Sequence, residues 1–440
     1  MSLLLALGRL YLAWRRVGVW MAWRFTTIGS CVLIGLVVSL GTADREQTTA
    51  FGMFLVLCTA LVLAACFAPF FRPNMVITRQ APRLVTAGVP FNVRVRLVNH
   101  GSRAAIGLEY ADELQEPGLD AQEIIDSLRI GRHGGPGRTL RGARCRPVPV
   151  PDLDSMGTAE VTTTVTAWRR GKLQLIGGII LRSDPLGIFR AVGHCPGMSE
   201  VLVLPPRHIL PILDLPGRNA SADPGPPRSG GTAGEAEFSA LRDYRRGDPR
   251  KRVHWRSTAR TGRLVVKEYE DERRPRHGLA LDIFCQVQHD RLFAEAVAVA
   301  ASFACPGNFG AGISDSSLLE VLVVGGSLIP GGGPAMLEVL AGVQPERRAR
   351  FADLADCLLR QGTSLASWIL VLLEWDPARR QLVGQLRALG TPVTVLLLLP
   401  PGQTAPPERG KSSEQPDRMV ILPADRVAEG LSGLGTRSCL

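Results

Sequence analysis

Between Arg242 and Arg276 stand 13 Lys and Arg against six Asp and Glu, so +7 of the chain's net charge of +11 falls in one short segment. A charge run alone reads as a solvated face. Here Phe238, Tyr244, His254, Trp255 and Tyr269 are interleaved with the cations, together with Gly247 and Asp248. A guanidinium keeps its charge at every physiological pH and presents a planar fork of donors that fits a carboxylate or a phosphate. Asp248 can receive such a fork, or cap a helix beginning near Arg250. Trp255, beside Val253, can pack in the core where the β-rich and α/β segments meet. Three uses follow from this chemistry. Asp248, Glu237 and several arginines can pair into a knot that organises the domain; the segment can bind an acidic protein face; or it can bind phosphate or nucleic acid.

Catalytic constellations are thin by comparison. His254 is the one histidine of the dense segment, and acid/base work there would need a nucleophile or metal that the sequence does not supply. No G-x-S-x-G elbow and no H-E-x-x-H is present. Gly230, Gly231 and Gly234 follow Pro227 and no GK[ST] triplet follows them at the spacing of a phosphate loop, so they do not form a nucleotide loop. A hydrolase of unrecognised type is the remaining catalytic alternative. The nine cysteines are scattered singly, with no zinc spacing, which points to a reducing compartment. Cys31, Cys58 and Cys66 lie in apolar runs; Cys145, Cys195 and Cys285 are the better placed to react.

Several elements must position that segment. Residues 25–40 and 51–71 are free of charge. The second run is long enough to cross a bilayer; the first, about 24 Å as a helix, needs its end turns to cover a core of about 30 Å. The link between them is short, so the pair is expected to form a transmembrane hairpin within an anchor over 1–73. Arg9, Arg15, Arg16 and Arg24 precede the hairpin and Arg72, Arg79 and Arg83 follow it. That bias places both termini on the cytoplasmic side. Residues 3–23, with Trp14, Trp20 and Trp23, suit an amphipathic helix along the membrane. A secretory signal fits poorly, because Leu3, Leu4 and Leu5 come before the basic residues. Over 75–205 the period falls to two, as in Phe91, Val93, Val95 and Leu97, which predicts a β-sandwich-like middle domain. Residues 129–153, rich in Gly, Pro and Arg, read as an irregular loop. A Pro/Gly-rich linker over 206–234 leads to the arginine-rich segment, 235–276. Residues 277–425 alternate strand and helix, as in a doubly wound α/β domain, and 426–440 read as a tail.

Glu237, Phe238, Arg242, Tyr244, Gly247, Asp248, Val253, Trp255, Arg256, Thr258, Ala259 and Arg260 spell a block that resembles the hallmark of the domain of unknown function 58 family. Lys251, between Arg250 and Arg252, stands where the block has Arg. Residues 264–272 continue the match, and upstream Arg170-Gly171 and Ser183-Asp184-Pro185-Leu186-Gly187-Ile188-Phe189 match a second signature. The resemblance implies a bacterial inner-membrane protein with two N-terminal helices, a β-rich middle and a von Willebrand factor A-like C-terminal domain. It further implies a non-enzymatic scaffold or adaptor working with a MoxR-type AAA+ ATPase on client proteins. Its partner-binding residues would then come from Glu237, Phe238, Arg242, Tyr244, Gly247, Asp248, Arg250, Lys251, Arg252, His254, Trp255, Arg256 and Arg260. A metal-binding domain of that kind offers D-x-S-x-S after its first strand; here the positions are Asp282, Phe284 and Gln286. Phenylalanine cannot coordinate and glutamine is neutral, so no metal or other cofactor is expected. An anionic-lipid or nucleic-acid binding module is the alternative to the adaptor, and the sequence leaves open the client and whether copies associate in the membrane.

Overall fold

The computed structural model describes residues 17–42, 48–115, 142–211, 237–245, 248–270, 276–284, 290–304, 318–330, 333–346, 351–361, 364–400 and 414–433. Two compact units emerge: Met1–Pro206 with Leu337–Val343, and Arg207–Met336 with Gln344–Leu440.

The first unit opens with a helical stretch over 17–24. Helices α1 (Thr27–Thr42) and α2 (Thr48–Phe67) follow, both without a charged residue and lying against each other. Ala50–Phe70 is long and apolar enough to cross a membrane, with a mean hydropathy of 2.5, and protein covers almost none of it. A core helix of a soluble domain would be covered. Helix α1 falls short of spanning length, so among the described residues one helix meets that criterion and a two-span hairpin is not established.

Strands β1 (Met75–Gln80), β3 (Pro90–Asn99), β7 (Thr158–Ala167) and β5 (Ala143–Cys145) form one sheet in the order β1-β3-β7-β5. The other runs β2 (Leu84–Thr86), β9 (Arg190–Leu204), β8 (Gly171–Ser183), β4 (Leu108–Leu114), β6 (Val148–Pro149). Val93, Val95 and Leu97 point into a core shared with Tyr110, Leu175, Ile180 and Val201 from the second sheet, while Arg94 and Arg96 point out. Period-two alternation thus builds the sandwich the sequence predicts. Strands β5 and β6 fall inside the expected irregular loop; both are short and at sheet edges, where proline is tolerated.

A buried polar bolt joins the sheets. Arg79 Nε donates to Asp112 Oδ1 at 2.7 Å, Tyr110 Oη donates to the same oxygen at 2.8 Å, and Thr163 Oγ1 donates to Asp112 Oδ2. Arg79 also donates to the carbonyls of Gly197, at 2.7 Å, and Gly177. Arg79 therefore sits inside the sandwich and is withdrawn from the set of membrane-flanking charges that the sequence suggested. Cys145 and Cys195 are corrected as well: burial pushes each thiol up to about 11, so neither is a ready nucleophile. Cys285 lies outside the described residues.

In the second unit β10 (Glu237–Asp243) pairs antiparallel with β11 (Val265–Glu270). Between them lie a 3₁₀ turn, Arg250–Arg252, and helix α3 (Trp255–Thr261), which ends where Gly262 takes φ 68°, a conformation open to glycine. The chain continues as β12 (Arg276–Leu281), α4 (Asp290–Ala304), β13 (Leu318–Val324), β14 (Ser327–Pro330), α5 (Pro334–Gly342), most of which is grouped with the first unit, α6 (Phe351–Gln361), β15 (Ser367–Leu372), α7 (Pro377–Ala388), β16 (Val393–Leu399), β17 (Arg418–Pro423) and α8 (Val427–Ser432). The six strands lie in the order β14-β13-β12-β15-β16-β17, with β14 antiparallel and the others parallel. This is the 3-2-1-4-5-6 order of a doubly wound sheet, consistent with a von Willebrand factor A-like domain. Every residue of β15 and β16 is buried, as their unbroken aliphatic runs require. Helix α8 occupies part of what the sequence read as a tail.

Candidate functional site

The β10–β11 pair and its connection present the arginine-rich residues. A small apolar seam of Val253, Val265 and Val266 holds the connection down, and Val253 bridges to Val266. The His254 N–H donates to Val265 O at 2.8 Å and the Tyr244 N–H to Leu264 O at 2.9 Å, which pins both ends of the loop to β11. His254 Nδ1 lies 2.7 Å from Ser257 Oγ. That contact occupies the imidazole locally.

Asp248 takes the fork its chemistry allows. Arg242 Nη1 and Nη2 donate to its two oxygens at 2.8 Å each, and the Arg245 N–H donates at 2.8 Å. The Arg242 bonds, then the Arg245 N–H, pull the carboxyl down to about 2. The alternative of a helix cap fails, since Pro249 caps the 3₁₀ turn and no side chain bonds there. This bidentate pair and its backbone donor are one part of the expected knot. Glu237 and Phe238 lie on β10 opposite Glu270 and Tyr269; their side chains, and Gly247, lie outside what is described.

Arg250, Lys251, Arg252, Arg256, Arg260 and Arg263 are exposed. Trp255 overturns the core expectation: it is 65% exposed, on the same face of α3 as Arg256, Ala259 and Arg260. The helix faces β11 with Thr258, whose Oγ1 accepts the Val265 N–H at 3.1 Å, and Val253 supplies the apolar inward contact, so Trp255 is left on the outer side. The result is a basic surface with a tryptophan in its midst, suited to binding carboxylates through forks and an apolar patch through the indole.

A second site lies in the α/β domain, at the point where the strand order reverses between β12 and β15. Open sheets of this kind bind ligands there, beyond the carboxyl ends of the strands. Asp282 follows β12 and is fully buried; one carboxylate oxygen accepts the Phe284 N–H at 2.9 Å. The other receives Arg379 Nε at 2.6 Å. Arg379, itself 3% exposed, also contacts Asp376 Oδ2 at 2.9 Å and Glu374 Oε2 at 3.5 Å, and donates to Phe284 O at 2.6 Å. Its guanidinium carbon lies 4.9 Å from the Phe351 ring centre. Burial pushes the Asp282 carboxyl up, and Arg379 opposes that shift. An arginine from α7 thus fills the place that a cation would take. Among the described residues, no group of three or more His, Cys, Asp or Glu is arranged to hold a metal ion; Gln286 lies outside them.

Sequence reasoning named Asp282 and missed Arg379. A signal was present. Asp376-Pro377 is a helix start, with the Asp376 carboxylate accepting the Arg379 N–H. Arg379 then falls on the apolar stripe of Leu382, Val383 and Leu386. A charge at a core position of an amphipathic helix requires a buried partner.

Comparison with known proteins covers the first of these sites and the Asp282 part of the second. Residues 240–308 match the family model described as Protein of unknown function DUF58. The match takes in Arg242, Asp248, α3 with Trp255, β11, β12 and Asp282. No curated protein matches the chain. Among solved structures, a CARDB domain from Pyrococcus furiosus is similar at 10% identity over 30% of this chain and 89% of that one, with a TM-score of 0.18. The superoxide reductase (neelaredoxin) from Ignicoccus hospitalis is similar at 18% identity over 29% and 80%, with a TM-score of 0.14. Likeness at that level bears on neither fold nor function, so the DUF58 segment carries the comparison.

Proposed function

We propose that this chain is a membrane-tethered, non-enzymatic scaffold whose DUF58 segment offers a basic face, centred on Trp255, to an acidic protein partner. The exposed indole among Arg250, Lys251, Arg256 and Arg260 carries this reading. Tryptophan and arginine are the side chains that dominate binding energy at protein interfaces, and a tryptophan left in water loses the burial that ordinarily favours it. The Arg242–Asp248 pair holds the loop in shape, so that the outward cations are presented on a fixed frame. Helix α2 supplies the anchor, and the flanking arginines argue for termini on the cytoplasmic side of a bacterial inner membrane. The family resemblance suggests a MoxR-type AAA+ ATPase as the partner, which would supply nucleotide chemistry that this chain lacks the motifs for, in assembling or activating client proteins.

Co-purification of full-length protein and ATPase from detergent-solubilised membranes tests the reading. The pair is expected to co-elute, and Arg250→Glu, Lys251→Glu and Arg252→Glu together are expected to abolish it. If the ATPase never co-elutes, with or without nucleotide, the reading fails. A basic face can also bind anionic lipid or nucleic acid. That alternative predicts affinity for phosphate polyanions that falls steeply with salt, in proportion to the phosphates contacted.

A further inference from the structure

The Ser183–Phe189 signature remains unused by the basic face, and its surroundings are unusual for a surface turn. Residues 184–189 connect β8 to β9. Asp184 is buried, and its two carboxylate oxygens accept the Phe189 N–H at 2.8 Å and the Leu186 N–H at 3.1 Å. Its carbonyl accepts the Gly187 N–H at 2.9 Å, and its own N–H donates to Phe189 O at 2.9 Å. The outward carbonyls go to the start of α1: Thr26 Oγ1 donates to Gly187 O, and the Thr26 N–H donates to Ile188 O at 3.2 Å. The turn therefore satisfies these backbone groups without water.

Its side chains are Pro185, Leu186, Ile188 and Phe189. Ile188 and Phe189 are buried with Ala64 of α2, ringed by Phe25, Val32, Ala60, Leu61 and Ala68. Phe25 and Phe189 meet edge to face at 5.3 Å. Gly29 makes the approach feasible, since a Cβ there would lie 2.0 Å from Ile188 O. Leu186 stays 52% exposed, on a turn whose Gly187 neighbours Ile28, itself 58% exposed on α1.

The helices measure the depth. Arg24 is the last charge before α1 and Arg72 the first after α2. Val32 lies eight residues after Arg24 and Ala64 eight residues before Arg72; the α-helical parts of those intervals, Thr27–Val32 and Ala64–Phe67, rise about 7 Å and about 5 Å. Both rulers put the contact inside the charge boundary. The Arg24 guanidinium carbon lies 5.7 Å from the Phe189 ring centre, and that of Arg182 lies 5.7 Å from Phe67, where cations would meet lipid headgroups.

We infer that the β8–β9 turn, residues 184–189, dips into the bilayer beside α1 and is a membrane contact additional to the two apolar helices, with Leu186 facing lipid. Irregular backbone at that depth is tolerated where its polar groups are satisfied by protein, and the Asp184, Gly187 and Phe189 groups and the Leu186 N–H and Ile188 carbonyl are bonded in that way. It ties the sandwich rigidly to the anchor, independently of any partner of the basic face. The inference requires that α2 cross the membrane.

The test places an environment-sensitive fluorescent amino acid by codon suppression at position 186, 56 or 198 of the full-length protein in lipid nanodiscs. Val56 lies exposed on α2, and Met198 lies exposed about 30 Å along β9 from the turn. Chain-brominated phospholipid is expected to quench the probes at 56 and 186, and aqueous iodide the probe at 198. In a Gly29→Leu background the probe at 186 is expected to lose lipid quenching while that at 56 keeps it. Lipid quenching at 56 with iodide quenching at 186 overturns the inference and leaves the anchor intact; iodide quenching at both overturns the inference together with the anchor.

Discussion

Replacing Arg379 by methionine keeps the bulk of the side chain and removes its charge. Asp282 then remains fully buried with the Phe284 N–H as its only other donor among the described contacts. Two unit charges about 4 Å apart interact by about 4 kcal/mol at an effective dielectric of 20, and removing one member of a buried pair costs about 3–5 kcal/mol. For a domain of this size that corresponds to a fall in Tm of roughly 6–20 °C. Trp368, fully buried in β15, reports on the α/β domain, so its emission during urea or thermal unfolding of the detergent-solubilised protein follows the transition. The double variant Asp282→Leu with Arg379→Met removes both charges and is expected to recover most of the loss. A single variant that costs less than about 1 kcal/mol, or a double variant no better than the single, would refute the assignment of Arg379 as the cation of the switch-point site.

His277, buried on β12 with Nδ1 2.6 Å from Ser367 Oγ, is lowered by burial to about 4. The unfolded imidazole titrates near 6.5 and so binds more protons than the folded one between those values. Stability is therefore full above about pH 6.5 and falls by up to about 3 kcal/mol as the pH drops towards 4; His277→Asn should flatten that slope in urea midpoints measured across the range. In the sandwich, Arg79→Met strands Asp112 in the core, and thermal unfolding by circular dichroism is expected to register a loss of about 3–5 kcal/mol, whereas Arg96→Met, which breaks the exposed pair with Glu160, should cost under about 1 kcal/mol. Burial holds the Cys145 and Cys195 thiols up at about 11, so mass spectrometry should find them unmodified by maleimide in the native protein and modified in urea.

Much of the fold was legible where local pattern and burial agree. The alternation of strand and helix expected over 277–425 is present, with Leu318–Val324 and Val393–Leu399 as strands, because short, mostly aliphatic runs bounded by turns have few alternatives. Strand β4 escaped for the opposite reason: its sequence LEYADEL carries three acids, and one of them, Asp112, points into the core, where only the distant Arg79 makes it tolerable. Strand β1 is obscured by that same arginine. In the arginine-rich segment the residue types announced a site, and the Arg242–Asp248 fork followed from their chemistry. The exposure of Trp255 did not, because hydrophobicity alone assigns an indole to a core and only the placement of α3 against β11 decides which face is covered. The pairing of Asp282 with Arg379 joins residues far apart in sequence, and the stripe on α7 marked the arginine without naming its partner.

The basic face is tested most directly by titrating full-length protein in nanodiscs against a purified MoxR-type ATPase at fixed salt, comparing wild type with Trp255→Ala. Loss of a buried tryptophan anchor of about 2 kcal/mol or more corresponds to a dissociation constant at least about 30-fold weaker. Unchanged affinity in Trp255→Ala, with the protein still folded, would contradict the assignment of this face as the partner surface.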